Sequence, residues 1–305
     1  MLNPTKKFSI YKLLPIFPLF LIFAPVFASA QLAPGGGLSS DSIALAPARV
    51  ELEMKSGSET TFVINLDYRS NSGTAKPARI AASINDWSIA SNGQVEFSRP
   101  GAKQNSAASW IVYSPAETVV TPGQVHSIRV TVSVPADASP GDHLAALVVE
   151  QRPDTLKFNQ AAGREMIVRY RMASVFYIKV GQLTKRGSLE NLRAQINPKG
   201  IEITSTFKNT GNSAVRPTAS IEIVDAAGKI VAALPQIEPL PILGNSQASQ
   251  TLLVENRLPP GVYTVKYLVD FQDGAAPTQG ITDLLIEDSK KKRTQIAAGK
   301  DKDNR

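Results

Sequence analysis

Cysteine is absent from the 305 residues. Disulfides, thiolate metal sites and cysteine nucleophiles are therefore excluded, and the fold must hold by packing alone. Histidine is nearly absent: the two, His126 and His143, each sit beside turn residues, with no HxH or HExxH spacing to ligate a metal. No G-x-S-x-G elbow or Walker-type loop occurs, and the three glycines at 35–37 lie in a polar leader rather than between a strand and a helix. Acidic residues are scattered singly; Asp86 beside Trp87 and Asp270 beside Phe271 read as solvating groups at strand ends. A reaction centre needs convergent titratable groups. This chain is expected to be no enzyme, with no catalytic residue, no metal and no cofactor.

Long apolar runs are equally scarce. The single example, residues 13–27, follows Lys6, Lys7 and Lys12 and precedes Ala28-Ser29-Ala30, the pattern of a cleaved signal peptide over residues 1–30. Its fifteen residues, with Pro15, Pro18 and Pro25 among them, are too few for a permanent span. The mature chain is expected to be periplasmic or secreted, without a transmembrane segment. The formal charge of +7 is concentrated at the ends: three charges fall in residues 1–30 and a net +5 in 289–305, which leaves residues 31–288 at −1. A near-neutral body gives no surface for nucleic acid. Residues 31–41 read as a flexible leader. Residues 289–305 read as a disordered basic tail, capable of a weak electrostatic contact with an anionic envelope.

What remains is strand grammar. In residues 128–134 the apolar Ile128, Val130, Val132 and Val134 alternate strictly with Arg129, Thr131 and Ser133, the period of a half-buried strand. Thr121-Pro122-Gly123 leads into it, and a connector with Pro135, Pro140 and Gly141 leads out. Residues 143–150 are apolar in both phases, as in a central strand. The short connector predicts that these two strands pair antiparallel under a second covering sheet. Further strands are expected at 43–52, 60–66, 79–87, 93–97 and 166–180. Pro47 interrupts the first, which places it at an edge or at a kink between sheets. Trp87 and Trp110 read as core plugs. Beyond a hinge at 181–187, strands are expected at 189–196, 201–208, 218–224, 230–233, 249–255, 262–271 and 280–286, with turns such as Asn197-Pro198-Lys199-Gly200 between them. The fold class is all-β: two immunoglobulin-like β-sandwiches in tandem, residues 42–180 and 188–288.

The strand at 166–180 is long for its class. It follows a polar connector, and its second phase carries Ile167, Arg169, Arg171, Ala173, Val175 and Tyr177, expected to face outward. Such a strand can add to the sheet of another chain, where main-chain bonds give affinity and alternate side chains fill pockets.

Ala46-Pro47-Ala48-Arg49-Val50, Ser109-Trp110-Ile111 with Ser114-Pro115, Thr121-Pro122-Gly123, Val134-Pro135-Ala136 and Pro140-Gly141-Asp142-His143 follow one another in this order. Over residues 42–180 this order resembles the amino-terminal domain of periplasmic pilus-assembly chaperones, the PapD-like family; the remainder is similar only as a generic immunoglobulin-like sandwich. The resemblance implies an L-shaped pair of sandwiches that completes the unfinished sheet of an envelope or fimbrial subunit by strand addition. It further implies that a first-strand arginine and a last-strand lysine anchor the subunit's terminal carboxylate. Arg49 matches the first. The lysine position falls at Ser174, and Arg169 and Arg171 interrupt the apolar run of the donor phase. The partner-binding set is thus Arg49, Ile167, Arg169, Arg171, Ala173, Val175 and Tyr177. An alternative is a structural or adhesive envelope protein whose sandwiches are spacers and whose basic tail attaches it to a surface.

Overall fold

Pro47 divides the first predicted strand, and its two halves join different sheets. In the computed structural model, which describes residues 42–69, 76–152, 171–255 and 258–287, these halves are β1 (Ser42–Ala46) and β2 (Arg49–Met54). The signal, leader and tail expectations, together with Ile167 and Arg169, lie outside the described residues. The chain continues through β3 (Glu59–Arg69), β4 (Ala78–Ile89), β5 (Val95–Ser98), a 3-10 turn (Ala108–Trp110), β6 (Ile111–Ser114), β7 (Glu117–Val120), β8 (Val125–Ser133), β9 (Gly141–Arg152) and β10 (Arg171–Val180). One sheet has the order β1-β3-β8-β6 and the facing one β2-β10-β9-β4-β5, with β7 also paired to β4. Every pair is antiparallel except β2 with β10.

Register follows the apolar phase. Leu45 lies opposite Leu66 and Ile64 opposite Ile128, so the buried members of neighbouring strands fall on one face. From the other sheet Ile80, Leu147, Phe176 and Ile178 meet them, all almost fully buried. Each such side chain contributes about 1.5–3 kcal/mol by leaving water. Slipping one strand by a residue would turn its whole buried set outward.

The expected pairing of residues 128–134 with 143–150 does not form. β8 and β9 lie in opposite sheets. The connector with Pro135 and Pro140 carries the chain across the sandwich rather than around a hairpin. β9 is apolar in both phases because each of its faces is covered, with Gly141 to Val149 all buried, a demand that a position between β10 and β4 meets. Two short strands, β6 and β7, go beyond the sequence expectation; four residues are too few to display a period. Asp86 is also not a solvating group. It is buried, accepts the Lys103 N–H at 2.8 Å and is bonded by the Ser106 hydroxyl, so it fastens the loop before the 3-10 turn.

The second sandwich comprises β11 (Gly187–Asn197), β12 (Gly200–Asn209), β13 (Thr218–Asp225), β14 (Ile230–Ile237), β15 (Ser246–Val254), β16 (Gly261–Asp270) and β17 (Thr278–Ile286). A three-stranded sheet, β11-β12-β15, faces a four-stranded one, β14-β13-β16-β17. Ile201, Ile203, Phe207, Ile221, Val265 and Tyr267 fill the space between them. Burial pushes the Tyr267 hydroxyl pKa up. All seven expected strands are present.

Both sandwiches belong to one compact unit, and a third apolar cluster joins them. Trp87, Leu144, Ala146, Val148 and Tyr177 on the outer face of the β10-β9-β4 sheet pack with Ala214 and Leu243 of the second sandwich. Trp87 is therefore a plug, but between sandwiches rather than within one. Its indole N–H donates to the Phe176 carbonyl at 3.4 Å, and its ring meets Tyr177 edge-on at 5.1 Å. Trp110 is half-buried against the first core and stacks on His143 at 4.4 Å. Among the described residues no helix is long and apolar enough to cross a membrane.

Candidate functional site

The edge of β10 changes character at Val175. From Val175 to Val180 the strand is held on both sides, by β9 and by β2, in register Val175↔Arg49 through Val180↔Met54. The Val175 N–H donates to the Ala48 carbonyl at 2.9 Å, the first bond of that parallel pair. Upstream, residues 171–174 pair with β9 alone, and no strand among the described residues takes their other edge. Main-chain groups alternate between edges along a strand, so Arg171 and Ala173 present theirs to the same side as Val175. A run of β10 with no second strand partner among the described residues therefore abuts Arg49, where β2 begins.

Arg49 belongs to a charged cluster at that point. Its Nε lies 3.2 Å from Glu51 Oε1, and the Arg216 Nη2 from the second sandwich reaches the same oxygen at 2.7 Å. Lys179 Nζ donates to the other oxygen at 2.8 Å. Three cations thus surround one carboxylate. Burial works to raise the Glu51 pKa, but the Lys179 hydrogen bond and the charges of Arg216, Lys179 and Arg49 outweigh it and hold the group below the ordinary carboxylate value. Arg216 also lies over the Tyr177 ring, 5.0 Å from its centroid. Burial pushes the Tyr177 hydroxyl pKa up, and the nearby Arg216 charge offsets part of that. Arg49 retains 56% of its side-chain exposure. Together with Arg216 it opens onto a cavity of about 410 Å³ between the sandwiches.

The residues singled out from the sequence separate accordingly. Arg49 stands at the head of the cleft. Arg171 is exposed at the start of β10, its guanidinium 5.7 Å from the Phe97 ring centroid. The sequence expects Ala173, Val175 and Tyr177 to face outward for a partner. Instead Ala173 and Val175 are half-buried against the cluster around Trp87, and Tyr177 is 3% exposed within it. That phase is covered by the inter-sandwich cluster, to which the second sandwich contributes Ala214 and Leu243. Ser174 points the other way; it is fully buried and donates to the Pro47 carbonyl at 2.7 Å.

Three members of the cluster escaped the sequence reading. Glu51 and Lys179 are ordinary alternating charges on their strands, and only the parallel β2–β10 pairing brings them together. Arg216 sits in the loop before β13, a segment that in sequence carries no sign of contact with the first sandwich. The histidines do not converge: His126 Nε2 accepts the Thr121 N–H at 3.1 Å, and His143 Nε2 bonds the Ser139 carbonyl at 2.8 Å.

No protein-family model and no curated protein sequence matches the chain. Among solved structures it is similar to fimbrial chaperones. One, from a chaperone–tip adhesin complex of CFA/I fimbriae biogenesis, is 13% identical, with 79% of this chain and 98% of that one covered and a TM-score of 0.41. The class 5 fimbriae chaperone CfaA is 14% identical over 81% of this chain and 100% of its own, at 0.38. A third is from the CsuC–CsuE pre-assembly complex of the Csu pili of Acinetobacter baumannii; it is 14% identical over 80% and 98%, at 0.39. The two-sandwich architecture is defined by the strand pairing itself, independently of these similarities.

Proposed function

We propose that this chain is an exported, non-enzymatic chaperone-like protein that holds an envelope or fimbrial subunit by strand addition. The subunit's last strand lies along the free edge of β10, parallel to it. The observation that carries this reading is the start of the β2–β10 pair at the Val175–Ala48 bond. An added strand can occupy the edge at residues 171–174 but must end where β2 begins, beside Arg49. A parallel strand brings its carboxyl terminus there, to Arg49 and Arg216, whose forked donors suit a carboxylate. An antiparallel strand would bring its amino-terminal end towards like charge. Arg216 then takes the part that the family resemblance assigns to a lysine at Ser174.

Hydrogen exchange tests the reading directly. The probe is a synthetic strand-forming octapeptide of alternating Val and Thr with a free carboxyl terminus, added to the mature chain. The amides of Arg171 and Ala173 are expected to become protected while those of 175–180 stay unchanged. Replacing Arg49 with Met is expected to weaken the peptide roughly tenfold, the loss of about one charge-assisted hydrogen bond. Protection elsewhere, or none at saturating peptide, would remove the reading.

A further inference from the structure

The cavity beside Arg49 and Arg216 joins two unlike kinds of wall. The two arginines share it with Pro217, Pro239, Leu240 and Pro241 of the second sandwich, and with Thr218, Glu238 and Gln272. Pro217 directly precedes β13, and residues 239–241 follow β14. Prolines have a fixed φ, so this wall is set before anything binds and loses little freedom when it does. The tip of the β4–β5 hairpin supports it. The Ser91 carbonyl accepts the Ser249 N–H at 2.6 Å, and the Leu240 side chain lies over Gly93, where a Cβ would have to displace its Cδ1 methyl. Gly93 has φ +84°, a conformation natural to glycine. A volume of about 410 Å³ falls near the lower end of the range for small-ligand pockets, roughly 300–1,000 Å³.

We infer that this cavity reads the final residue of the bound strand: the α-carboxylate rests on Arg49 and Arg216, and an apolar side chain of about leucine size packs on the Pro217, Pro239, Leu240 and Pro241 wall. The inference rests on the strand-addition reading above and adds to it a specificity pocket. Charge complementarity fixes the orientation, since Arg49 stands where a parallel strand must stop and Arg216 shares the Glu51 carboxylate with it. Glu238 also lines the cavity. Its carboxylate repels an acidic last residue, and it is the Pro217, Pro239, Leu240 and Pro241 surface that favours an apolar side chain over a cation.

The test is fluorescence anisotropy on the full mature chain with four labelled Val/Thr octapeptides that differ only in their last residue, Leu, Gly, Asp or Lys, plus the carboxamide of the Leu peptide. The Leu acid is expected to bind about tenfold more tightly than the Gly acid and than its own amide, with Asp weakest. Leu240→Ala, in an accessible loop, is expected to bring Leu and Gly within about threefold. Glu238→Gln is expected to strengthen the Asp peptide alone. The peptide series on the unaltered chain decides the matter even where a variant misfolds. If the acids all bind equally and exceed the amide, the pocket is overturned while strand addition with a carboxylate anchor stands. If Lys exceeds Leu, Glu238 rather than the proline wall sets the preference and the inference is overturned. If no peptide binds, the strand-addition reading falls and the pocket with it.

Discussion

The main-chain N–H of Ala214 donates to Asp142 Oδ2 at 2.7 Å, and the two residues belong to different sandwiches. The Ser213 hydroxyl donates to the other oxygen at 2.9 Å, so a carboxylate only 5% exposed is satisfied entirely from across the interface. Asn212 completes the joint. Its amide donates to the carbonyls of Pro140 and Gln182 at 3.2 and 3.1 Å, and its oxygen accepts the Thr184 N–H at 2.6 Å. Gly141, φ +135°, lets the chains approach, since a Cβ there would stand 2.9 Å from the Asn212 carbonyl oxygen. The angle between sandwiches, and with it the placing of Arg216 beside Arg49, depends on this joint.

Asp142→Ala should therefore loosen the cleft before it unfolds either sandwich. Two hydrogen bonds to a charged group are lost, and the Ala214 N–H is left buried without its acceptor, a cost of about 2–4 kcal/mol. In urea, the fluorescence of Trp87 at the interface, read in a Trp110→Phe background, is expected to change before far-ultraviolet circular dichroism does. Coincident transitions at the original midpoint would show that the joint is not held by Asp142.

Trp87→Ala removes the largest side chain of the inter-sandwich cluster, together with its indole bond to Phe176 and its edge contact with Tyr177. Truncation of a buried tryptophan costs about 3–5 kcal/mol. Equilibrium denaturation should record a loss of that order. A loss under 1 kcal/mol would mean that the surrounding residues collapse into the space.

Glu51 ties β2, β10 and the second sandwich through Arg49, Lys179 and Arg216, and its pKa in the folded chain lies below the ordinary value of 4.5. A carboxyl with a depressed folded pKa adds stability that is fully present above its unfolded value and lost as pH falls through the folded one. The contribution should therefore be intact near neutrality and disappear below about pH 4.5. Comparing Glu51→Gln with the unaltered chain by thermal melts across pH 3–7 should give curves that are separate at pH 7 and converge in acid. A constant gap over that range would show that the charge of Glu51 contributes nothing.

These residues mark how far the chain could be read unaided. Ile128 to Val134 and the seven strands of the second sandwich were legible because a period of two is local, and Pro47 pointed to an edge or a change of sheet, of which the structure shows the second, because a proline cannot sit inside a ladder. The partner sheets of β8 and β9 were not legible: a short connector suits a hairpin and a crossing equally well, and the both-faced burial of β9 decides between them only once β10 and β4 are in place. Arg49 was singled out through resemblance. Arg216 could not be found, because its role comes from packing between residues 165 positions apart.

Ser174 offers the sharpest check on the register that this account requires. The family resemblance places a cleft lysine there, but the strand pairing turns the side chain inward, fully buried, onto the Pro47 carbonyl. Ser174→Lys should therefore fail to rebuild an anchor and should destabilise the first sandwich, because an ammonium taken out of water without a counter-ion costs several kcal/mol. Ser174→Ala removes only the hydrogen bond and should cost about 1 kcal/mol. Urea denaturation of both variants, alongside peptide binding, separates the alternatives. A lysine variant as stable as the parent and tighter for a free carboxylate would place residue 174 in the cleft, shift the register of β10 by one residue, and return the second anchoring position from Arg216 to the strand itself.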